Sequence, residues 1–143
     1  MKMQTLGKIL MTLAIGVFTF LPPLADLATD THVFNPGWIP HARVHTVWLL
    51  GLTSGVGLLA LYLLWVRKAD PELGEDLAGI LGAIVYGSFF LSASTIGHYG
   101  DALSDSEGGI GQTVIGLDLN VFTFGVATIV LCAGWGFCKR ARR

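Results

Sequence analysis

Val44 to Val66 reads VHTVWLLGLTSGVGLLALYLLWV, and these 23 residues between Arg43 and Arg67 contain no Asp, Glu, Lys or Arg. About 20 apolar residues at a 1.5 Å rise cover the hydrocarbon core of a bilayer. Inside that core every backbone polar group must be bonded within its own segment, so the stretch reads as a transmembrane helix. Three more windows are comparably long and mostly apolar. One runs from Ile9 to Leu27, one is apolar from Leu77 to about Gly97 before reaching His98, and one lies between Asp118 and Lys139. The expected spans are therefore about 9–27, 45–66, 77–98 and 119–138. The expected fold is a single all-α domain, a transmembrane four-helix bundle.

Composition agrees. Of 143 residues, 52% are hydrophobic and only 13% charged, with a mean hydropathy of +0.64. A soluble domain carries about a quarter of its residues as charges, so this surface faces lipid. The net charge of −1 says little about partners. Cys132 and Cys138 lie six residues apart on one expected helix, about 9 Å along its axis. They cannot bridge each other and read as apolar packing residues.

The basic residues set the direction. Lys2 and Lys8 precede the first span, Arg67 and Lys68 separate the second from the third, and Lys139, Arg140, Arg142 and Arg143 follow the fourth. Four crossings put all eight on one side, which the positive-inside rule makes cytoplasmic, with both termini there. The other two connections hold Arg43 as their single basic residue and include Asp30, Asp101, Asp105 and Glu107. Met1 to Ala28 also has the outline of a signal peptide, with a basic start, an apolar run and small residues after it. Read as a span, it should bend or end at Pro22 and Pro23.

Small residues recur four apart: Gly51 with Gly55, Ala78 with Gly82, Ala83 with Gly87, Ser88 with Ser92. Such pairs let helices approach closely in lipid. They suit first a tight bundle within one chain, with a homo-oligomer or docking into a larger membrane complex as the alternatives. Trp38, Trp48 and Trp65 fall near expected interfaces, where amphipathic rings sit.

All four histidines fall on the non-cytoplasmic side. His32 lies in the first outer connection, His41 and His45 open the second span, and His98 ends the third. Asp26, Asp101, Asp118 and Asn120 lie near the outer span ends. Ionisable groups at membrane depth are costly, which makes them functional candidates. In a helix His41 and His45 share a face and can offer two imidazoles to one metal ion. His98 is the third expected ligand, with Asp26 or Asp118 as alternatives, and a haem would take His45 and His98 as axial pair. The plain alternative is that these histidines bond water, backbone or a carboxylate. On span three, Ser88, Ser92, Thr95 and Tyr99 form one stripe. With Asn120 and Thr123 facing them, they read either as interhelical hydrogen-bond glue or as the wall of an outward-opening pocket. The expected pocket comprises Asp26, His41, Arg43, His45, Ser92, Thr95, His98, Tyr99, Asp118 and Asn120. His32, Asn35 and Trp38 are its expected lid, because Asn35-Pro36-Gly37 is a strong turn and the loop is dense in aromatic, imidazole and guanidinium groups. Arg43 is expected to pair with Asp26, Asp30, Asp118 or a lipid phosphate.

The run Asn35, Pro36, Trp38, Pro40, His41, Ala42, Arg43 and His45 resembles a family of small four-span membrane proteins that share N-P-x-W-x-P-H-A-R-x-H after their first span. The resemblance covers little of the chain and implies the four-span architecture without an activity. In architecture the chain also resembles the EXPERA group, four-helix proteins that include sterol isomerases and the sigma-2 receptor. Acidic residues in the bundle hold a cationic ligand or intermediate there, and Asp26 resembles that arrangement.

Three functions follow as expectations. The first is a pocket binding or transforming a small lipophilic molecule, with proton transfer by histidine as its conceivable chemistry. The second is a transition-metal or haem site on the same histidines. The third is a non-catalytic subunit of a larger membrane complex. The chain has no P-loop, GxSxG, CxxC, HExxH or Glu-x-x-His motif. No basic groove suits nucleic acid, and the basic tail fits anionic lipid.

Overall fold

The computed structural model describes residues 2–30, 32–100, 103 and 113–143. Four helices account for most of them: α1 (Met3–Ala28), α2 (Pro40–Trp65), α3 (Pro71–Thr95) and α4 (Leu119–Ala141). All four are long and apolar enough to cross a membrane. Only 22–28% of each span's most apolar window is buried, and large apolar side chains such as Leu13, Trp48, Leu91 and Ile129 stand 61–70% exposed. That much apolar surface is stable against acyl chains and not against water. The chain is an integral multi-pass membrane protein.

The helices run up-down-up-down. Ser54 of α2 meets Thr19 of α1 while Trp65 meets Thr12, so sequence rises along one as it falls along the other. Gly79 and Gly82 of α3 lie against Trp135 and Leu131 of α4 in the same antiparallel sense. Gln4 touches Glu75 at one end, and Arg142 joins them there. Both termini therefore share the end that carries Lys2, Lys8, Arg67 and Lys139, here termed the basic end. The opposite end holds His41, His45 and His98 and is termed the histidine end.

α1, α2 and α3 begin earlier than apolarity alone suggests, and α4 begins at Leu119 as expected. Pro40 and Pro71 each sit in the first turn, where a missing N–H costs nothing. Asp70 caps α3 through Leu73 N at 3.0 Å and adopts φ +49°, a left-handed conformation Asp tolerates. Asp118 caps α4 through Asn120 N at 2.8 Å. The bend or stop expected at Pro22 and Pro23 does not end α1, which continues to Ala28. Pro23 has no N–H for the Thr19 carbonyl, and the Ser54 hydroxyl of α2 donates to that carbonyl instead, at 2.9 Å. A neighbouring helix thus restores the bond that proline removes, as hydrocarbon demands.

Met11, Ile15 and Phe18 of α1 pack with Ala60 and Leu64 of α2, Ala78 and Tyr86 of α3, and Ala127 and Leu131 of α4. Phe18, Tyr86, Phe124 and Phe89 form a chain of edge contacts 4.5–5.7 Å between centroids. The buried Tyr86 hydroxyl donates to the Ala14 carbonyl, which satisfies its one polar atom.

The small residues divide into two sets. A Cβ at Gly7, Gly57, Gly74, Gly79, Gly82 or Gly134 would strike a neighbouring helix. At Gly51, Gly55, Gly87 and Gly136 it would meet nothing within 4 Å. The Gly51–Gly55 pair therefore faces outward, and the close helix approaches rest on the first set.

Before α4 the chain forms a two-residue hairpin, β1 (Thr113–Val114) paired with β2 (Leu117–Asp118). Its turn residues Ile115 and Gly116 both have positive φ, +49° and +80°, as hairpin turns of the primed type require. Glycine suits this turn. A β-branched isoleucine there is strained.

Candidate functional site

At the histidine end the loop between α1 and α2 folds back on itself. The Asn35 amide oxygen accepts from Gly37 N at 2.8 Å, closing the turn that Asn35-Pro36-Gly37 encodes. Asn35 is buried, and its backbone carbonyl accepts from the Arg43 guanidinium at 2.7 Å. Arg43 thus ties the first turn of α2 to the loop through a carbonyl, in place of the carboxylate or lipid phosphate expected. His32 Nδ1 lies 2.9 Å from Asp26 of α1, and its ring meets Trp38 edge-on at 5.2 Å. The residues expected to form a lid are therefore fastened to the ends of α1 and α2.

His41 and His45 meet as the four-residue spacing implies. Their Nε2 atoms are 3.0 Å apart and their rings perpendicular, with centroids 4.5 Å apart. One imidazole donates the N–H and the other accepts. Trp48, one turn on, stacks beside His45 at 6.1 Å. All three are exposed. A metal bound by two imidazoles at about 2.0–2.1 Å, with an angle near 90–109° between them, holds its nitrogens about 2.9–3.4 Å apart. The pair already has that separation.

The other expected site residues gather locally. Ser92 and Thr95 bond the Tyr99 hydroxyl at 2.8 and 3.3 Å, and these contacts hold the phenol below its ordinary pKa, Ser92 contributing most. Ser88, Ser94 and Thr95 return their hydroxyls to carbonyls of their own helix. The polar stripe on α3 thus bonds mainly within α3. Asp118 is occupied as the cap of α4, and Asn120 reaches the Leu103 carbonyl at 3.5 Å. His98 lies exposed in a single 3-10 turn, Ile96–His98. Among the described residues no three His, Cys, Asp or Glu side chains converge where they could hold one metal ion. His98 is accordingly apart from the His41–His45 pair. Asp101, Asp105 and Glu107 lie outside the described residues.

The best-built polar cluster is at the opposite end, where the sequence reading placed only topology signals. Glu75 is fully buried. Its carboxylate accepts from Gln4 at 2.9 Å and from Arg142 at 2.9 Å. Arg142 also donates to Asp76 and to the Glu72 carbonyl, each at 2.9 Å. These carboxylates, Asp76 first, raise the guanidinium pKa still further. Trp135 donates to the other Asp76 oxygen at 2.6 Å, and Lys139 lies 4.5 Å over the Trp135 ring. The cluster joins α1, α3 and the end of α4. Its geometry is that of a clamp, with each carboxylate oxygen accounted for. The available signal was the pair Glu75-Asp76 at the start of an apolar span, on the same side as Arg142.

Two hollows stand out on the surface. One of about 380 Å³ is lined by Ala133, Gly136, Phe137, Lys139, Arg140 and Arg143. The other, about 350 Å³, is lined by Thr12, Leu13, Gly16, Val17, Phe20, Leu21 and Leu61. Neither is formed by the expected pocket residues.

Comparison of the chain with protein-family models, with curated proteins and with solved structures gives no match.

Proposed function

We propose that this membrane protein binds a divalent transition metal at its histidine end, with His41 and His45 as the chelating pair. The observation that carries the reading is the 3.0 Å separation of their Nε2 atoms on one helix face. Metal takes the place of the hydrogen bond: the donor ring carries its proton on Nδ1 instead of Nε2, and each neutral imidazole then contributes its Nε2 lone pair. Two protein ligands leave further positions open to water or to ligands carried by the metal. Such a site exchanges its metal readily and suits handling or transfer more than structural storage. Imidazole nitrogens favour copper(II) over nickel(II) and zinc. The excess of Lys and Arg at the other end supports a non-cytoplasmic position for the pair.

Calorimetric titration of copper(II) and zinc into the purified protein tests this. His41→Ala and His45→Ala should each abolish specific binding, because a chelate needs both rings. His98→Ala should leave it unchanged. Undiminished binding in both single variants, or binding lost only with His98, refutes the assignment.

A further inference from the structure

We infer that the basic end of α4 is a binding site for an anionic phospholipid, an inference independent of the metal reading. Of the four basic residues that close the chain, Arg142 is spent on Glu75 and Asp76. Lys139, Arg140 and Arg143 have no carboxylate within 4.0 Å among the described residues. These three surround the hollow of about 380 Å³, whose remaining wall is Ala133, Gly136 and Phe137. Gly136 leaves its part of the wall clear, since a Cβ there would meet nothing within 4 Å.

The same face continues into the membrane. Val126, Ile129, Ala133, Gly136, Arg140 and Arg143 follow one another at three- and four-residue steps, and all are exposed. On a helix that spacing is one stripe. It forms an apolar track, narrowed by two small residues, that ends in cations where the span meets the headgroups. An acyl chain fits the track, and a phosphodiester fits the basic rim. Guanidinium groups of Arg140 and Arg143 can grip two phosphate oxygens. Lys139 is steadied over Trp135 at 4.5 Å. Basic hollows between or beside membrane helices on the cytoplasmic side are suited to such headgroups. Positive-inside topology alone explains the charges but not their arrangement around an apolar-walled hollow.

The test is native mass spectrometry of the full chain, released from nanodiscs containing equal amounts of phosphatidylglycerol and phosphatidylcholine. The wild type should retain phosphatidylglycerol preferentially. Arg140→Gln/Arg143→Gln should weaken retention at least about tenfold. Gly136→Leu should weaken it comparably, although it removes no charge. Arg67→Gln/Lys68→Gln, at the same end but away from the hollow, should change it less than twofold. Equal retention of the two lipids by the wild type overturns the inference. So does loss of retention in the Arg67/Lys68 variant equal to that at Arg140/Arg143, which would mean diffuse charge attraction. So does full displacement by glycerophosphoglycerol lacking acyl chains, which would mean an anion site without lipid. Ala133→Leu provides a second filling variant, should Gly136→Leu not fold.

Discussion

Replacing Arg142 with alanine removes three hydrogen bonds, to Glu75, Asp76 and the Glu72 carbonyl. Glu75, fully buried, keeps Gln4 alone among the described residues. Breaking a buried ion pair by deleting one partner costs about 3–5 kcal/mol, because an uncompensated charge remains. Here Arg142 is 15% and Asp76 31% exposed, so water relieves part of the loss, and about 3 kcal/mol is expected. Glu75→Gln alone should cost about 1 kcal/mol, since the amide still bonds and Arg142 keeps Asp76. Glu75→Gln/Arg142→Ala should be less destabilised than the sum of the two changes, because no fully buried unpaired carboxylate is left and Asp76, 31% exposed, keeps Trp135. Unfolding by dodecyl sulfate in mixed micelles, followed by tryptophan fluorescence, measures all three. Stability of Arg142→Ala within about 0.5 kcal/mol of wild type, or strict additivity in the double variant, would refute the clamp.

Ser54→Ala should cost about 1–2 kcal/mol by leaving the Thr19 carbonyl unbonded in lipid. The loss should vanish in a Pro23→Ala background, where the N–H returns; an unchanged loss there would separate Ser54 from the proline. Gly57→Ala should destabilise the bundle by about 1–3 kcal/mol, because its Cβ overlaps the Thr19 hydroxyl, whereas Gly51→Ala and Gly55→Ala should be neutral. Ile115→Asn should raise stability by about 1 kcal/mol by relieving a left-handed β-branched residue. Thermal melts in detergent check these three, and a stabilised Gly57→Ala or a weakened Ile115→Asn would count against the packing described.

The architecture was legible because two rules act on whole segments. Uncharged runs of about 20 residues name the helices, and Lys and Arg sort their ends. The contact between His41 and His45 was legible as well, since a four-residue step on one helix fixes it. What brings separate helices together was not. Pro22 and Pro23 look like a stop, and only the hydroxyl of Ser54, 35 residues away from Thr19, shows why the helix runs through. Gly51 and Gly55 carry the packing motif but face outward, while Gly7 and Gly134, 127 positions apart in sequence, let α1 and α4 approach so closely that a Cβ on either would strike the other's carbonyl. Spacing reveals which residues share a face and leaves open which face turns inward. Glu75 and Asp76 stand just before the apolar run that starts at Leu77, and nothing in that placement marks them as buried. The partner that draws them inside, Arg142, lies at the far end of the chain.

Labelling of single cysteines from one side of the membrane tests the architecture most directly. In a background with Cys132 and Cys138 replaced by alanine, Ile39→Cys places a thiol at the histidine end, on a residue 66% exposed, and Arg143→Cys places one at the basic end. A membrane-impermeant maleimide should label Ile39→Cys in intact cells and Arg143→Cys only after permeabilisation. Labelling of both thiols in intact cells, or of neither before permeabilisation, would put the two ends on one side and contradict the four-span bundle.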